Sequence, residues 1–392
     1  MSLFDDFDDD LEDDLNNEPV SAPISVSTGL LPAREAPDTL GHAELERQIL
    51  QYFNDGHMPH AMIFAGPEGI GKATFAFRVA RFLLKHGKDA GEESGGGLFG
   101  EALPATKPEN MDLSLDDVVF RQVASAGHPD LLTIERPFDE KKGRKQSTVP
   151  VEEARKVTPF LRRTASYGGW RVVIVDDADT MNRNSQNAIL KILEEPPSQT
   201  LLILIAHRMG ALIPTIRSRC RMVSFQPLSL ENFSTLMKKE QAGLPDTDIR
   251  TLYGISGGSV GQGVRILNEG GLEVVAQAMI LLSTWPKWDW PQIHHLADGL
   301  AQMGQDESFK TFQTVLLWII EAMVRARAQG TKLPQILDNE SLDRLMSHYN
   351  LAEWIEICDN LKAHFDTVEH SNLDKKQAVL GIFPLFTGKD AA

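Results

Sequence analysis

Short apolar runs alternate with amphipathic stretches between residues 40 and 225. The runs HAMIFAG, DLLTIE, WRVVIV, TLLILIAH and RMVSFQP are bounded by glycine or polar residues, which is typical of buried parallel strands. GHAELERQILQYFNDG, ATFAFRVARFLLKH, VEEARKVTPFLRRTA and MNRNSQNAILKILEEPP instead place apolar residues at helical spacing. Strands that alternate with helices predict a doubly wound parallel sheet, with its ligand at the carboxyl ends of the strands.

The chain outside this region has a different texture. Residues 1–38 combine an acidic block with prolines, a mixture that predicts a disordered tail. Residues 39–228 are predicted to form the α/β domain, with a flexible Gly- and Pro-rich insertion at about 87–112. Only helical patterns follow, which predicts a three-helix unit over 229–271 and an all-helical domain over 272–392.

Charge and length narrow the functional class. The chain has 392 residues and a net charge of −16, which argues against a generally basic protein that coats nucleic acid. Nine of the acidic residues lie in residues 1–18, so the remainder is near −7. The length indicates two or three domains.

Cysteine content and hydropathy indicate the compartment. Only Cys220 and Cys358 are present, which excludes a disulfide framework and a four-cysteine zinc site. The start MSLFDDFDDD has neither the basic residues nor the apolar run of a signal peptide. No stretch reaches the roughly 18 apolar residues of a membrane span, so we expect a cytoplasmic protein without a membrane partner.

The stretch GPEGIGKAT lies between a predicted strand and a predicted helix, the context of a phosphate-binding loop. Its glycines allow backbone N–H groups to cradle phosphates, and its lysine would reach the terminal ones. Ala73 replaces the Ser or Thr that normally binds Mg²⁺, and Thr74 lies about 100° further round the helix. A purely structural glycine turn is the alternative. The candidate nucleotide contacts are Gly66, Gly69, Gly71, Lys72 and Thr74.

The second candidate element is the acidic cluster of VVIVDDAD. Asp176 is placed to bind Mg²⁺, so ATP and Mg²⁺ are the candidate cofactors. Asp177 stands where nucleotide hydrolases usually carry a glutamate that orients the attacking water. Aspartate is one methylene shorter, and misplacing a reacting group by about 1 Å can cost roughly a hundredfold in rate. A solvated acidic turn is the alternative interpretation.

The third element is the loop IRSRC, which contains Arg219. An arginine at the rim of a domain can reach the γ-phosphate bound by a neighbouring subunit and stabilise the transition state as an arginine finger. It can also simply solvate a loop, as Arg217 and Arg221 are expected to do.

Together these motifs resemble the AAA+ clamp-loader family over most of residues 40–225. NAILKILEEPP and the Ser-Arg-Cys triplet are specific to clamp loaders, whereas the phosphate loop is shared far more widely. The resemblance implies an α/β P-loop AAA+ domain, then a small helical lid and an all-α collar. It also implies a hetero-pentameric ring with gamma/tau and delta subunits, which opens the β sliding clamp and places it on primer–template DNA.

Within such a ring, the resemblance implies that Arg219 completes the ATP site of the adjacent motor subunit. Ala73 and Asp177 depart from the motor pattern, and Gly261 stands where motor subunits carry the arginine of Gly-Ser-x-Arg. These departures favour a stator whose own ATPase activity is weak or absent.

Two other functions stay open. An ATP-hydrolysing motor subunit is compatible with the intact Lys72 and Asp176. A P-loop kinase acting on a small molecule leaves the helical third and the Ser-Arg-Cys loop unexplained. The insertion has no cysteine, so we expect no zinc, and His128 and His207 are expected to be ordinary loop residues.

Overall fold

A computed structural model of the chain describes residues 29–87, 107–140, 144–302, 306–371 and 374–386. The strands are β1 (Ala61–Ala65), β2 (Leu131–Ile134), β3 (Phe138–Asp139), β4 (Arg144–Lys145), β5 (Arg171–Val175), β6 (Thr200–Ala206) and β7 (Arg221–Ser224). The helices of the first half are α1 (Ala43–Asn54), α2 (Lys72–His86), α3 (Val118–Ala124), α4 (Val151–Arg155), α5 (Val157–Leu161), α6 (Arg183–Ala188), α7 (Leu190–Glu194) and α8 (Pro214–Arg217). Those of the second half are α9 (Leu230–Glu240), α10 (Asp246–Ser256), α11 (Val260–Asn268), α12 (Gly271–Ser283), α13 (Trp290–Leu300), α14 (Asp306–Gln329), α15 (Glu340–His348), α16 (Leu351–Ser371) and α17 (Lys375–Leu380).

Five strands form one parallel sheet in the order β2-β5-β6-β1-β7. Every residue of β1 and β6 is buried, as expected when helices cover both faces of a parallel sheet. Strands β3 and β4 form a separate antiparallel pair. This sheet, flanked by helices and followed by a helical region, confirms the predicted fold class. Because the strands are parallel, the segments that follow β1, β5 and β6 meet at one edge.

Two apolar layers enclose the sheet. On one face α1 and α2 pack through a cluster that includes Ile49, Phe75 and Phe82, none of which is exposed. On the other face α4 to α8 contribute a second cluster that includes Val157 and Ile216. The two clusters hold the strand ends, and therefore the loops that follow them, in fixed positions.

The stretch VEEARKVTPFLRRTA, predicted as one helix, forms the two short helices α4 and α5. Pro159 has no N–H to donate to the carbonyl of Arg155, so the ladder is interrupted there. Lys156 N–H instead donates to Glu153 O at 3.0 Å, which closes a tighter turn. MNRNSQNAILKILEEPP likewise forms α6 and α7. Helix α3 and the β3–β4 pair were not predicted.

Residues 29–38, which the sequence placed in the tail, pack against the α/β domain. The buried Arg81 of α2 donates to the carbonyls of Arg34 (3.1 Å) and Ala36 (2.6 Å). Leu30 N–H donates to Glu240 of α9 at 2.5 Å, so this segment joins the sheet domain to the helices beyond it. The other parts of the predicted tail and insertion, residues 1–28 and 88–106, lie outside the described residues.

The helices after β7 share one hydrophobic core. Buried residues from Leu228 to Phe386 form a single cluster, with Phe312 and Trp354 among its largest members. The predicted lid and collar are therefore packed on one another rather than separated by a linker. No single described helix is long and apolar enough to cross a membrane, although the bent pair α11 and α12 passes a test of length and composition.

Arg81 should stabilise the attachment of residues 29–38. Its guanidinium lies over the Phe120 ring at 4.6 Å, and burial lowers its pKa to about 10. Arg81→Ala leaves two carbonyls without donors, so we expect it to lower the free energy of unfolding by about 1–3 kcal/mol. Urea unfolding measures this. The exposed Arg47→Ala is the control, expected within about 0.5 kcal/mol of wild type, and an equal effect of both variants would contradict the prediction.

Candidate functional site

The phosphate-loop motif follows β1 and ends where α2 begins at Lys72. Gly69 and Gly71 have φ values of +76° and +95°, a backbone region that side chains with a Cβ rarely adopt. The buried His42 bonds Ile70 O through Nε2 at 2.8 Å and packs edge-on against Phe225, with ring centroids 4.9 Å apart. His42, a residue outside the motif, therefore holds the loop in place through its hydrogen bond to Ile70.

Lys72 is buried, with 3% of its surface exposed, and its ammonium has three acceptors. Nζ donates to Gly66 O at 2.8 Å and to Pro67 O at 2.5 Å, both within the loop itself. Its third partner is His207 Nδ1 at 2.8 Å, in the segment that follows β6. An ammonium group has three donors, so all of them are used inside the protein.

The bonding continues from His207 through Asp177 to Arg136. Because Nδ1 of His207 accepts from Lys72, its Nε2 carries the proton and donates to Asp177 Oδ1 at 2.9 Å. Arg136 Nε donates to the other carboxylate oxygen, Asp177 Oδ2, at 2.7 Å. The chain Lys72–His207–Asp177–Arg136, here called the bonded tetrad, spans the carboxyl edge of the sheet.

Burial and charge set the protonation states of these groups. Burial lowers the pKa of Lys72 to about 8, although nearby carboxylates led by Asp176 oppose the shift. Burial alone would raise the pKa of Asp177, but the hydrogen bond from His207 and the charge of Arg136 outweigh it and lower the pKa to about 2. Burial and the charge of Asp177 raise the pKa of Asp176. Asp177 is therefore a firmly held anion and a poor proton acceptor.

The other two aspartates of the acidic cluster position the backbone. Asp176 N–H continues the sheet by donating to Ile134 O at 2.8 Å, and its Oδ1 accepts from Asp177 N–H at 3.0 Å. Asp179, 5% exposed, accepts from the backbone N–H groups of His207 (3.0 Å) and Arg208 (3.2 Å). His207 is therefore held in place through its backbone N–H as well as through its ring.

The residues around Lys72 do not complete a Mg²⁺ site. Ala73 offers no hydroxyl at the position that would bind the ion, and Asp177 already has two donors. Within the described ranges, no group of three or more His, Cys, Asp or Glu residues is arranged to hold a metal. Asp176 remains the one acidic side chain of the candidate set that could face a cation.

The first residues of α11 rest directly on the phosphate loop. Gly261 N–H donates to Gly69 O at 2.9 Å, and Ser259 Oγ donates to Glu68 O at 2.6 Å. A Cβ added at Gly261 would lie 2.8 Å from the Cα of Gly69. An arginine at this position therefore has no space in this conformation.

A cleft of about 750 Å³ lies between the loop, residues 29–40 and the helices after β7. Leu30, Leu228 and Leu236 contribute apolar surface, while Lys239 and Arg265 line it from α9 and α11. The volume and the mixture of apolar and charged walls suit a small ligand such as a nucleotide. Gly69, Gly71, Lys72, Thr74, Asp176 and Asp177 line this cleft, so the structure brings together the sequence-predicted nucleotide contacts, with Gly66 bonded to Lys72 beside them.

Arg219 is separate from this cleft. It follows α8, and its side chain is 36% exposed, with Nη2 3.0 Å from Glu194 Oε1 and Nη1 donating to Thr215 O at 3.1 Å. The described residues that line the cleft do not include it. The candidate arginine finger therefore presents its charge on another face of the domain.

The sequence missed two residues that organise the site. His207 was expected to be an ordinary loop residue rather than a metal ligand; it lies in a loop, and its ring in addition bridges Lys72 and Asp177. Arg136 was not singled out, since it lies beyond β2 in a stretch without a motif. A usable signal existed for His207, because it directly follows the central strand β6 and so had to emerge at the same edge as the phosphate loop.

Comparison with known proteins gives a consistent picture. Residues 41–229 match the family model described as "DNA polymerase III, delta subunit". The chain is similar to the DNA polymerase III subunit delta' of Pseudomonas aeruginosa, at 33% identity over 53% of this chain and 57% of that protein. It is also similar to the subunit delta' of Escherichia coli, at 29% identity over 63% of this chain and 66% of that protein. The matches thus span about three fifths of the length of these relatives.

More distant proteins share parts of the chain. Human replication factor C subunit 5 is 23% identical over 59% of this chain and 55% of its own length. A DNA polymerase III gamma subunit-related protein from Thermotoga maritima superposes with a TM-score of 0.35 at 17% identity, over 86% of this chain and 98% of its own.

The contact between Gly261 and Gly69 makes a stability prediction. Gly261→Ala should lower the free energy of unfolding by about 1–3 kcal/mol, because its Cβ would overlap the loop backbone. The control is Gly299→Ala, also in a helix, where nothing lies within 4 Å of the added Cβ; it should gain up to about 1 kcal/mol. Thermal and urea unfolding would measure both, and equal stabilities of the two variants would show that α11 does not rest on the loop.

The lowered pKa of Lys72 predicts a pH dependence. Between about pH 8 and pH 10.5, Lys72 is protonated in the unfolded chain, where its pKa is 10.5, but deprotonated in the folded chain. Burial of the charged ammonium therefore lowers the stability of the folded chain by its full amount below about pH 8, and this destabilisation disappears as the pH rises. Wild type should gain stability relative to Lys72→Met between roughly pH 7 and pH 9.5. Lys332→Met, at an exposed lysine, should show no such change, and parallel pH profiles for both variants would contradict the prediction.

Proposed function

We propose that this chain, whose residues 41–229 match the family model described as "DNA polymerase III, delta subunit", is the delta-prime stator subunit of a clamp loader. In this role it helps to place the β sliding clamp on primed DNA during replication. Its direct partners are the gamma/tau and delta subunits of a hetero-pentameric ring. The similarity to two subunits named delta' supports this assignment.

One observation carries the stator role: the two groups that would bind and hydrolyse ATP are bonded to each other through His207. Lys72 has no free donor for a γ-phosphate, and Asp177 is held as an anion by His207 and Arg136. A general base needs a pKa near the working pH, and a pKa of about 2 is far below it. Hydrolysis by this chain is therefore weak or absent.

A nucleotide is compatible with the cleft only in part. The N–H groups of the loop and the first turn of α2 would cradle its phosphates, and Lys72 would contact them after giving up His207. Bound Mg²⁺ would supply charge neutralisation for the phosphates. The donor set here does not fit that ion, since Ala73 provides no hydroxyl. Nucleotide at this loop would thus act as a structural ligand rather than as a substrate.

Arg219 supplies the chemical contribution of the subunit. A guanidinium stays charged at every physiological pH and can donate two parallel hydrogen bonds to phosphate oxygens. On the face away from its own cleft, Arg219 can enter the ATP site of the adjacent motor subunit, where it would stabilise charge that develops on the γ-phosphate. The subunit then controls ATP hydrolysis at the site of the adjacent motor subunit.

Contact with primer–template DNA is the least localised part of this proposal. Arg162 and Arg163 are exposed near the end of α5, where arginine side chains can contact phosphates. A second basic stretch, KKGRK at residues 141–145, could also contact the DNA backbone, and its first three residues lie outside the described residues.

The finger role is tested in a reconstituted loader. With Arg219→Ala, hydrolysis at the adjacent motor site should fall by about 10³-fold, because the transition-state charge loses its partner while this chain's own loop is untouched. The total rate of ATP hydrolysis by the loader, measured with DNA and clamp, should fall by the fraction that this one site contributes. Arg217→Ala, an exposed arginine two residues earlier, is the matched control and should keep the wild-type rate.

Two outcomes would contradict the stator assignment. A wild-type rate for Arg219→Ala would remove the finger role. Turnover by the isolated chain that Lys72→Ala abolishes would identify a motor subunit instead.

A further inference from the structure

Arg219 is held by contacts from two different helices. Glu194, the last residue of α7, lies with Oε1 3.0 Å from Nη2, and Thr215 of α8 accepts from Nη1 at 3.1 Å. Nη1 also donates to Ser218 Oγ at 3.5 Å, so both η nitrogens are engaged on this side. Nη2 has a second N–H, which can be directed toward a phosphate oxygen.

The two supports are themselves rigidly placed. Helix α7 is anchored by Ile192 and Leu193, both buried in the apolar layer under the sheet, and α8 is anchored by the fully buried Ile216. Pro196 and Pro197 follow two residues after Glu194 and restrict the backbone there. The carboxylate of Glu194 therefore has a position that the core determines, although its side chain is 51% exposed.

We propose that Glu194 is a positioning residue for Arg219: it fixes the guanidinium in the orientation that reaches the adjacent subunit's ATP. This inference rests on the proposed finger role. A free arginine side chain samples many rotamers, and a finger is effective only when it is aligned as the transition state forms. Glu194 does not touch the nucleotide and acts only through Arg219.

The sequence supplies a neighbour for comparison. Glu195 has the same charge and is also exposed, but it lies 4.0 Å from Arg162 and not beside Arg219. Removing either glutamate changes the net charge of this surface equally. Only the removal of Glu194 takes an ion-pair partner away from Arg219.

The test uses the complete reconstituted loader, with kcat and KM for ATP measured separately. At the motor site adjacent to Arg219, Glu194→Ala should lower kcat about 2- to 5-fold and leave KM for ATP within about 2-fold, because an exposed ion pair contributes modestly and acts on alignment rather than on binding. The total rate of the loader should fall only in proportion to the share of that site. Glu195→Ala should match wild type. Glu194→Gln keeps an oxygen that accepts from Nη2 and should recover at least half of the lost rate.

A double-mutant cycle links the effect to Arg219. In the Arg219→Ala background, Glu194→Ala should cause no further loss. An unchanged or raised kcat for Glu194→Ala, or an equal loss in the Arg219→Ala background, would overturn the proposal. If Arg219→Ala itself has no effect, the finger role fails and the positioning role with it. If Arg219→Ala lowers the rate of ATP hydrolysis but the Glu194 variants do not, the finger role stands and Glu194 is dispensable.

Discussion

The burial of one ammonium group determines how this site is built. Lys72 is almost completely enclosed, and a buried charge has to be fully hydrogen-bonded to be tolerated. The loop carbonyls of Gly66 and Pro67 satisfy two of its donors, and His207 satisfies the third. Because His207 can accept on one nitrogen only, its other nitrogen must donate, and Asp177 is the acceptor. The bonded tetrad is therefore a consequence of keeping Lys72 charged in a closed cleft.

This arrangement separates two tasks that an ATPase combines in one subunit. The cleft edge is internally satisfied and is closed by α11 through Gly261, so its groups stabilise the relative position of sheet and helices. Arg219, which precedes β7 and so lies toward the other edge of the sheet, is 36% exposed and pairs with Glu194. The proposed stator role uses both features, since it needs a fixed conformation and an exposed guanidinium.

The sequence was sufficient for the sheet and for the positions of the motifs. Each of the five predicted parallel strands is present, since continuous apolar runs between polar residues have few alternatives in a domain of this size. Two predicted helices are divided, because Pro159 interrupts one and local turns interrupt the other. The bonded tetrad could not be read from spacing, since Lys72, Arg136, Asp177 and His207 lie on four separate segments. Only the strand order, which places β5, β6 and β1 side by side, brings them together.

Two of the departures from the motor pattern, Asp177 and Gly261, are held in the site by contacts of their own. A glutamate at position 177 would carry its carboxylate about one methylene further, beyond the position where His207 and Arg136 bond Asp177. Freed from Asp177, His207 would lose its acceptor, and the bonds of Lys72 would change with it. A hydroxyl at position 73 would leave the contact between Gly261 and Gly69 in place. A glutamate at position 177 and an arginine at position 261 would therefore each require a separate rearrangement of neighbouring contacts.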